Sequence, residues 1–240
     1  PLRDLLDRYR SIEHAIPVPR RAPGVIDAEP LDQPLLVRGD HRSEAEAVPR
    51  GFLEVLGGRS YPADRVGRLE LAADIVSPAN PLTTRVFVNR LWAQVFGRGI
   101  VASVDNFGRL GDEPTNPELL DHLANSFRAD GWSIKRALER MVTSRSFRGA
   151  STADPVTVER DPDNELLARY AARRLDAEAI HDSLGFLAGR QPRAVFLPVR
   201  RNALEPFLTT FNAPVPTTTV GQRTHTNVPA QALTMLNGDL

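Results

Sequence analysis

The side chains best suited to chemistry are Arg85 and Asn89 in NPLTTRVFVNRLWAQVFGRG (80–99), Arg200 and Arg201 in PVRRNA, and Arg223 and Gln231 in GQRTHTNVPAQAL. Arginine offers a planar fork of donors that matches carboxylate, sulfate or phosphate, and amides add donors and acceptors suited to hydroxyls. The second and third groups fall in loops at element ends, where binding residues collect. Together the six predict a polar pocket for an anionic or saccharide ligand, with Asp105, Glu118 and Asp121 as supporting carboxylates. The plainer alternative is structural, with one of those carboxylates holding Arg85 inside the fold.

Other motifs carry less. GRGIVA (97–102) matches G-x-G-x-x-A, but a helix precedes it where a dinucleotide fingerprint needs a strand, so Gly97 and Gly99 read as helix stop and turn. Glu178 and His181 have the Glu-x-x-His spacing that is half of a carboxylate-bridged di-metal site, and the other half is missing. Glu118 and His122 invite the same scepticism, and neither H-E-x-x-H nor G-x-S-x-G occurs, so no metal site is expected. Lys135, Arg136, Arg140, Arg145 and Arg148 against Glu139 would form a basic helix face. Basic and acidic residues balance at 30 each, so no global field favours nucleic acid, and a solvated face is the expectation.

The elements that must position these residues are mainly helical. Over 80–99 the apolar residues cover most of a helical wheel, leaving Thr83, Arg90 and Gln94 towards water, yet Arg85 and Asn89 align with Trp92 and Phe96 inside the apolar arc. TNPELLDHLANSFRADG supplies Asn116 as N-cap, Pro117 at the first helical position and Gly131 as stop, and Ser133 caps IKRALERMVTSRSF, which predicts an αα-hairpin. Further helices are predicted over 1–14, 48–58, within RVGRLELAADIVS, in RRLDAEAIHDSLGFLAG, in NALEPFLTTF behind an Asn202 cap, and in VPAQALTMLN. LLVRGD (35–40) and AVFLPV (194–199) are the strand candidates, residues 15–34 read as a proline-rich extended arm, and 149–163 as a linker or surface loop. The fold class is therefore mainly α: an irregular helical domain with an αα-hairpin, one or two short strands and long loops. An N-terminal helix and arm (1–48) would precede a helical domain (49–240).

The 240 residues suffice for one good core or two modest ones. Cysteine is absent, which removes disulfides, thiolate metal sites, cysteine nucleophiles and covalent c-type haem attachment from this stretch. No apolar run approaches the ~20 residues of a membrane span, and no signal-peptide pattern is present. Lys135 is the only lysine among 30 basic residues, which reads as coding bias towards arginine.

The blocks NPLTTRVFVNRLWAQVFGRGIVASVDNFGRLGDEPTNPELLDHLANSFRADGWSIKRALERMVTSRSFR, DPDNELLARYAARRLDAEAIHDSL and VFLPVRRNALEPFLTTFNAPVPTTTVGQRTHTNVPAQALTMLN together resemble a planctomycete-specific C-terminal domain family of unknown function. The resemblance starts near LLVRGD. It implies an extracytoplasmic module of a large multidomain protein, with upstream domains of the same polypeptide, a c-type cytochrome-like one among them, as partners. Any haem would then sit upstream, and this stretch would carry no cofactor. The family pattern includes the positions of Asn80, Arg85, Asn89, Arg90, Trp92, Asp105, Glu118, Trp132, Arg200, Arg201, Arg223 and Gln231. The chain departs from it at Asn116 (typically histidine), His122 (an aromatic), and Asn212 and Val215 (often aspartates), and the segment between Arg190 and Ala194 is shortened.

The leading expectation is a non-catalytic module that docks onto neighbouring domains or binds a ligand. The competing one is a hydrolytic or polysaccharide-processing enzyme, which would need Arg85, Asn89, Arg200 and Arg223 to converge in a concave pocket with an acidic partner.

Overall fold

The computed structural model describes residues 2–15, 24–189 and 193–238. Two compact units are present, 1–77 and 78–240, so the boundary expected at 48/49 falls inside the first.

In the first unit a helix, α1 (Leu2–Ala15), is followed by an antiparallel hairpin of β1 (Gln33–Leu36) and β2 (Glu44–Val48) and by α2 (Arg68–Ile75). The extended arm expected over 15–34 lies partly outside the described residues, and 24–32 carries no regular structure. β1 leaves LLVRGD after Leu36, because Arg38 and Gly39 turn with positive φ towards β2, whose EAEAV run alternates glutamate with small alanines that are weak strand formers. The helix expected over 48–58 is reduced to one 3₁₀ turn, Glu54–Leu56. Backbone pairing across that stretch wins instead: Phe52 N–H donates to Arg59 C=O at 2.8 Å and Tyr61 N–H to Arg50 C=O at 2.9 Å. Arg50 ties the loop down, its Nε donating to Asp32 at 2.7 Å.

The second unit holds the core. α3 (Leu82–Phe96) packs on the hairpin of α4 (Pro117–Ala129) and α5 (Ile134–Val142). The hairpin forms as its local chemistry dictates: Asn116 accepts from Leu119 N–H, Ser133 from Arg136 N–H, and Gly131 (φ 68) and Trp132 (φ 61) make the turn in the left-handed region. Val88, Trp92, Phe96, Leu120, Leu123, Phe127 and Met141 interlock at its centre. Trp92 stacks on Phe96 at 4.0 Å, and Phe127 meets the edge of Trp132 at 5.4 Å.

A smaller cluster gathers Ala177, Phe207, Leu208 and Phe211, contributed by α7 (Ala177–Leu187) and α8 (Pro206–Thr210) and its C-terminal turn. Between the hairpin and α7, the polar stretch expected as a loop contains α6 (Pro155–Arg160), capped by Asp154. α9 (Pro229–Asn237) closes the described chain. Two expectations fail here for definite reasons. AVFLPV forms a 3₁₀ turn, Ala194–Phe196, because Asp182 accepts the Ala194 N–H at 2.6 Å and curls the segment back, leaving no strand edge to pair with. α8 is capped by Glu205, not Asn202: with Pro206 at the first helical position, the Glu205 side chain is the one placed to accept the Leu208 N–H.

Candidate functional site

Asn89 and Arg85 share a helix face but have separate jobs. Asn89 is completely buried, and its amide grips the backbone of Val101: Oδ1 accepts from Val101 N–H and Nδ2 donates to Val101 C=O, both at 2.9 Å. The segment after α3 is thus docked as a sheet neighbour would dock it, by a side chain. Gly99 makes room, since a Cβ there would lie 2.8 Å from Asn89 Nδ2. Arg85 stands at the rim of the core, where its Nε donates to Asp121 at 2.6 Å and Nη1 to Pro81 C=O at 3.1 Å. That hydrogen bond holds the Asp121 carboxyl below its ordinary range and raises the Arg85 guanidinium. Asp105 takes Arg90 at 3.0 Å, and Glu118 stays exposed in the first turn of α4.

The C-terminal candidates divide similarly. Gln231 is buried at the first turn of α9 as a junction: Oε1 accepts from Arg174 at 3.0 Å and from Val228 N–H at 3.3 Å, while Nε2 donates to Thr210 C=O at 3.0 Å. Arg223 forks onto Glu178 at 2.5 and 3.0 Å, which lowers the Glu178 carboxyl and raises the guanidinium. This occupies the carboxylate of the Glu-x-x-His pair, while His181 sits 3.4 Å from Asp182. Among the described residues no group of three His, Cys, Asp or Glu could hold a metal ion. Arg200 and Arg201 are exposed at a tight bend in which Arg200 bridges Ala203.

The expected constellation therefore resolves into different places. Arg85 lines a small crevice of about 150 Å³ with Asp121, whereas Arg223 lines a cleft of about 620 Å³ with Gln222 and His225. The same cleft is lined by residues of a stretch that carries no motif, RYAARRLD: Tyr170, Arg173, Arg174 and Asp176. The C-terminal turn of α3 supplies its base. Arg173 lies across Gly97, where a Cβ would come within 2.5 Å of its Cδ, and donates to Gln94 C=O at 2.7 Å and to Tyr170 Oη at 3.3 Å. Gly97 itself has φ 89 and ends α3, as expected of a helix stop. Arg174 donates to Thr226 C=O and Gln231 and rests over the Phe211 ring at 5.5 Å. Both arginines thus bond neutral acceptors, whereas the third guanidinium of the cleft, Arg223, is already forked onto Glu178 and lies 3.9 Å from Asp176, the carboxylate among the described lining residues. The sequence signal was the adjacent Arg173-Arg174 pair just before the α7 N-cap.

A second hollow, about 420 Å³, opens beside the hairpin over Trp92, Leu119, Leu123 and Met141, with Asn116 and His122 on its wall. On the basic face of α5, Arg140 is paired with Asp130 at 2.9 Å. No helix among the described residues is long and apolar enough to cross a membrane.

Comparison with protein families finds residues 67–194 and 188–240 matching PSD1, described as a protein of unknown function (DUF1553). The chain belongs to this family. The match covers most of the sequence and includes every candidate site residue and the whole arginine cleft, while α1, the β-hairpin and the LLVRGD segment precede it. Its two stretches overlap at 188–194, around the segment expected to be shortened, of which residues 190–192 lie outside those described. Neither curated proteins nor solved structures show a match.

Proposed function

We propose that this PSD1-family chain is a binding module whose second unit holds an anionic group, of a saccharide or of a partner, in the cleft lined by Arg173, Arg174 and Arg223. The observation that carries the reading is a cleft of about 620 Å³, a size suited to a small-molecule or side-chain guest, in which Arg173 and Arg174 bond neutral acceptors while Arg223 is held by Glu178. A guanidinium has five N–H donors, and Arg173 commits two of its groups, Nη1 and Nη2, to neutral acceptors. Donors remain to fork onto a carboxylate, sulfate or phosphate. The internal bonds fix the arginines before a ligand arrives, which lowers the ordering cost of binding.

A binding role also suits the carboxylates. Asp121, Glu178 and Asp182 are all held below their ordinary range, by Arg85, by Arg223, and by the Ala194 N–H with Arg193. A general acid working near neutral pH needs a raised pKa. The family resemblance extends the proposal to an extracytoplasmic setting within a large multidomain protein, where upstream domains, a c-type cytochrome-like one among them, are further partners and any haem is theirs.

The test is the shift in thermal unfolding of the chain against sulfated, carboxylated and neutral oligosaccharides, with reducing-end release followed in parallel. The proposal expects stabilisation by the charged sugars and no release. Release of reducing ends would overturn it in favour of a polysaccharide-processing enzyme, and indifference to all three would remove saccharides from the ligand class.

A further inference from the structure

The first unit carries a surface the arginine cleft does not use. α1 has the sequence LRDLLDRYRSIEHA, and none of its residues is buried. Its apolar residues form one stripe, with Leu2, Leu5, Tyr9 and Ile12 spaced three, four and three apart, and Leu6 beside them. Leu5 is 65% exposed and Ile12 58%. That spacing is an a/d seam over two heptads, a-d-a-d, and it fits a helix partner with the same repeat. A helix of this length is marginal in water by itself and gains most of its stability from covering an apolar face.

The charges beside the seam choose the occupant. With Leu2 at a, Arg8 falls at g and Glu13 at e, five residues on. In a parallel pair of identical helices a g side chain meets the e side chain five residues further along its neighbour, so Arg8 of each copy faces Glu13 of the other. An antiparallel pair would set g beside g, bringing the two Arg8 side chains together. A membrane surface fits less well: Arg3, Arg8 and Arg10 are balanced by Asp4, Asp7 and Glu13, where interfacial helices carry a strongly basic polar face. From this spacing and charge order we infer that α1 is a self-association helix, which joins two copies of this chain in parallel register through Leu2, Leu5, Tyr9 and Ile12.

The absence of cysteine makes a clean test. Leu5→Cys places one thiol at a d position, and Asp7→Cys places one at the outward f position. Under mild oxidation of the 240-residue chain, the first is expected to give a disulfide-linked dimer at least tenfold faster than the second. The wild-type sedimentation coefficient should rise with concentration, and Leu5→Glu/Ile12→Glu should abolish the rise without loss of folded signal, because both side chains are exposed. Arg8→Glu should weaken association, and adding Glu13→Arg should restore it. Equal cross-linking at the two positions, a wild-type chain monomeric at all concentrations, association that survives Leu5→Glu/Ile12→Glu, or binding to neutral phosphatidylcholine vesicles in place of self-association would each overturn the inference.

Discussion

Removing the Asn89 amide should be the most damaging single polar substitution in the second unit. Asn89 is fully buried, Val101 is 3% exposed, and both backbone groups of Val101 spend a hydrogen bond on that one side chain. In Asn89→Ala the Val101 N–H and C=O lose their partner in a site without ready access to water. A buried polar group left unsatisfied costs about 1–3 kcal/mol, and two of them give roughly 3–5 kcal/mol. That is a large part of the ~5–15 kcal/mol typical of a whole domain. Urea unfolding followed by tryptophan fluorescence measures it, since Trp92 lies one helical turn away on the same face. Asn89→Leu separates the causes: it restores volume but neither hydrogen bond, so it should be nearly as destabilising as alanine. Near-wild-type stability of Asn89→Leu would refute the reasoning, for the loss would then belong to a cavity and not to Val101. Asn89→Asp keeps the acceptor for Val101 N–H but aims an oxygen at its C=O, so its carboxyl pKa should rise on folding. Its stability should then be fullest when protonated and fall as pH rises from about 4.

Arg85→Met should cost about 1 kcal/mol or less by the same assay, because the Arg85–Asp121 pair is a third to a half exposed and an exposed ion pair contributes little. A loss several times larger would show the pair to be buried in solution. Asp121 and Glu178 have folded-state pKa values below their unfolded ones, so their stabilising contribution is present above the ordinary carboxylate range and is lost as pH falls through the lowered values. Arg223→Gln should flatten the acid limb of the stability profile, and an unchanged limb would contradict the Glu178 assignment. Gly97→Ala should cost about 1–2 kcal/mol from the left-handed backbone alone, and it should also displace Arg173, whose Cδ lies 2.5 Å from the added methyl. It should therefore weaken anion binding as well as folding, whereas Gly131→Ala, also left-handed but with open space around it, should affect folding alone.

Local chemistry made the helices legible. The α4–α5 hairpin follows from Asn116, Pro117, Gly131 and Ser133, because capping and turn formation are settled within a few residues. The polar line inside the α3 apolar arc was legible as an anomaly, and it turned out to contain two answers, a buried amide docked on backbone and a rim arginine paired with Asp121. Which of Asp105, Glu118 and Asp121 takes Arg85 was not legible, because the choice depends on how α3 crosses α4. AVFLPV misled for a related reason: its apolar run with Val195, Phe196 and Val199 suits a strand, but a strand needs a neighbour, and Asp182 offered Ala194 a closer bond. Arg173 and Arg174 were overlooked because they belong to a helix approach with no motif of its own. Their shared cleft emerges only where the chain brings them into one lining with Arg223, some 50 residues on.

Titration calorimetry of a sulfated oligosaccharide into the wild-type chain and into Arg173→Gln tests the binding account most directly, with Arg136→Gln, on the exposed face of α5, as the charge-matched control. The account predicts measurable, salt-sensitive binding that falls at least tenfold in Arg173→Gln and is unchanged in Arg136→Gln. Equal affinity in all three proteins, or a loss only in Arg136→Gln, would contradict it and move the anion site away from the cleft.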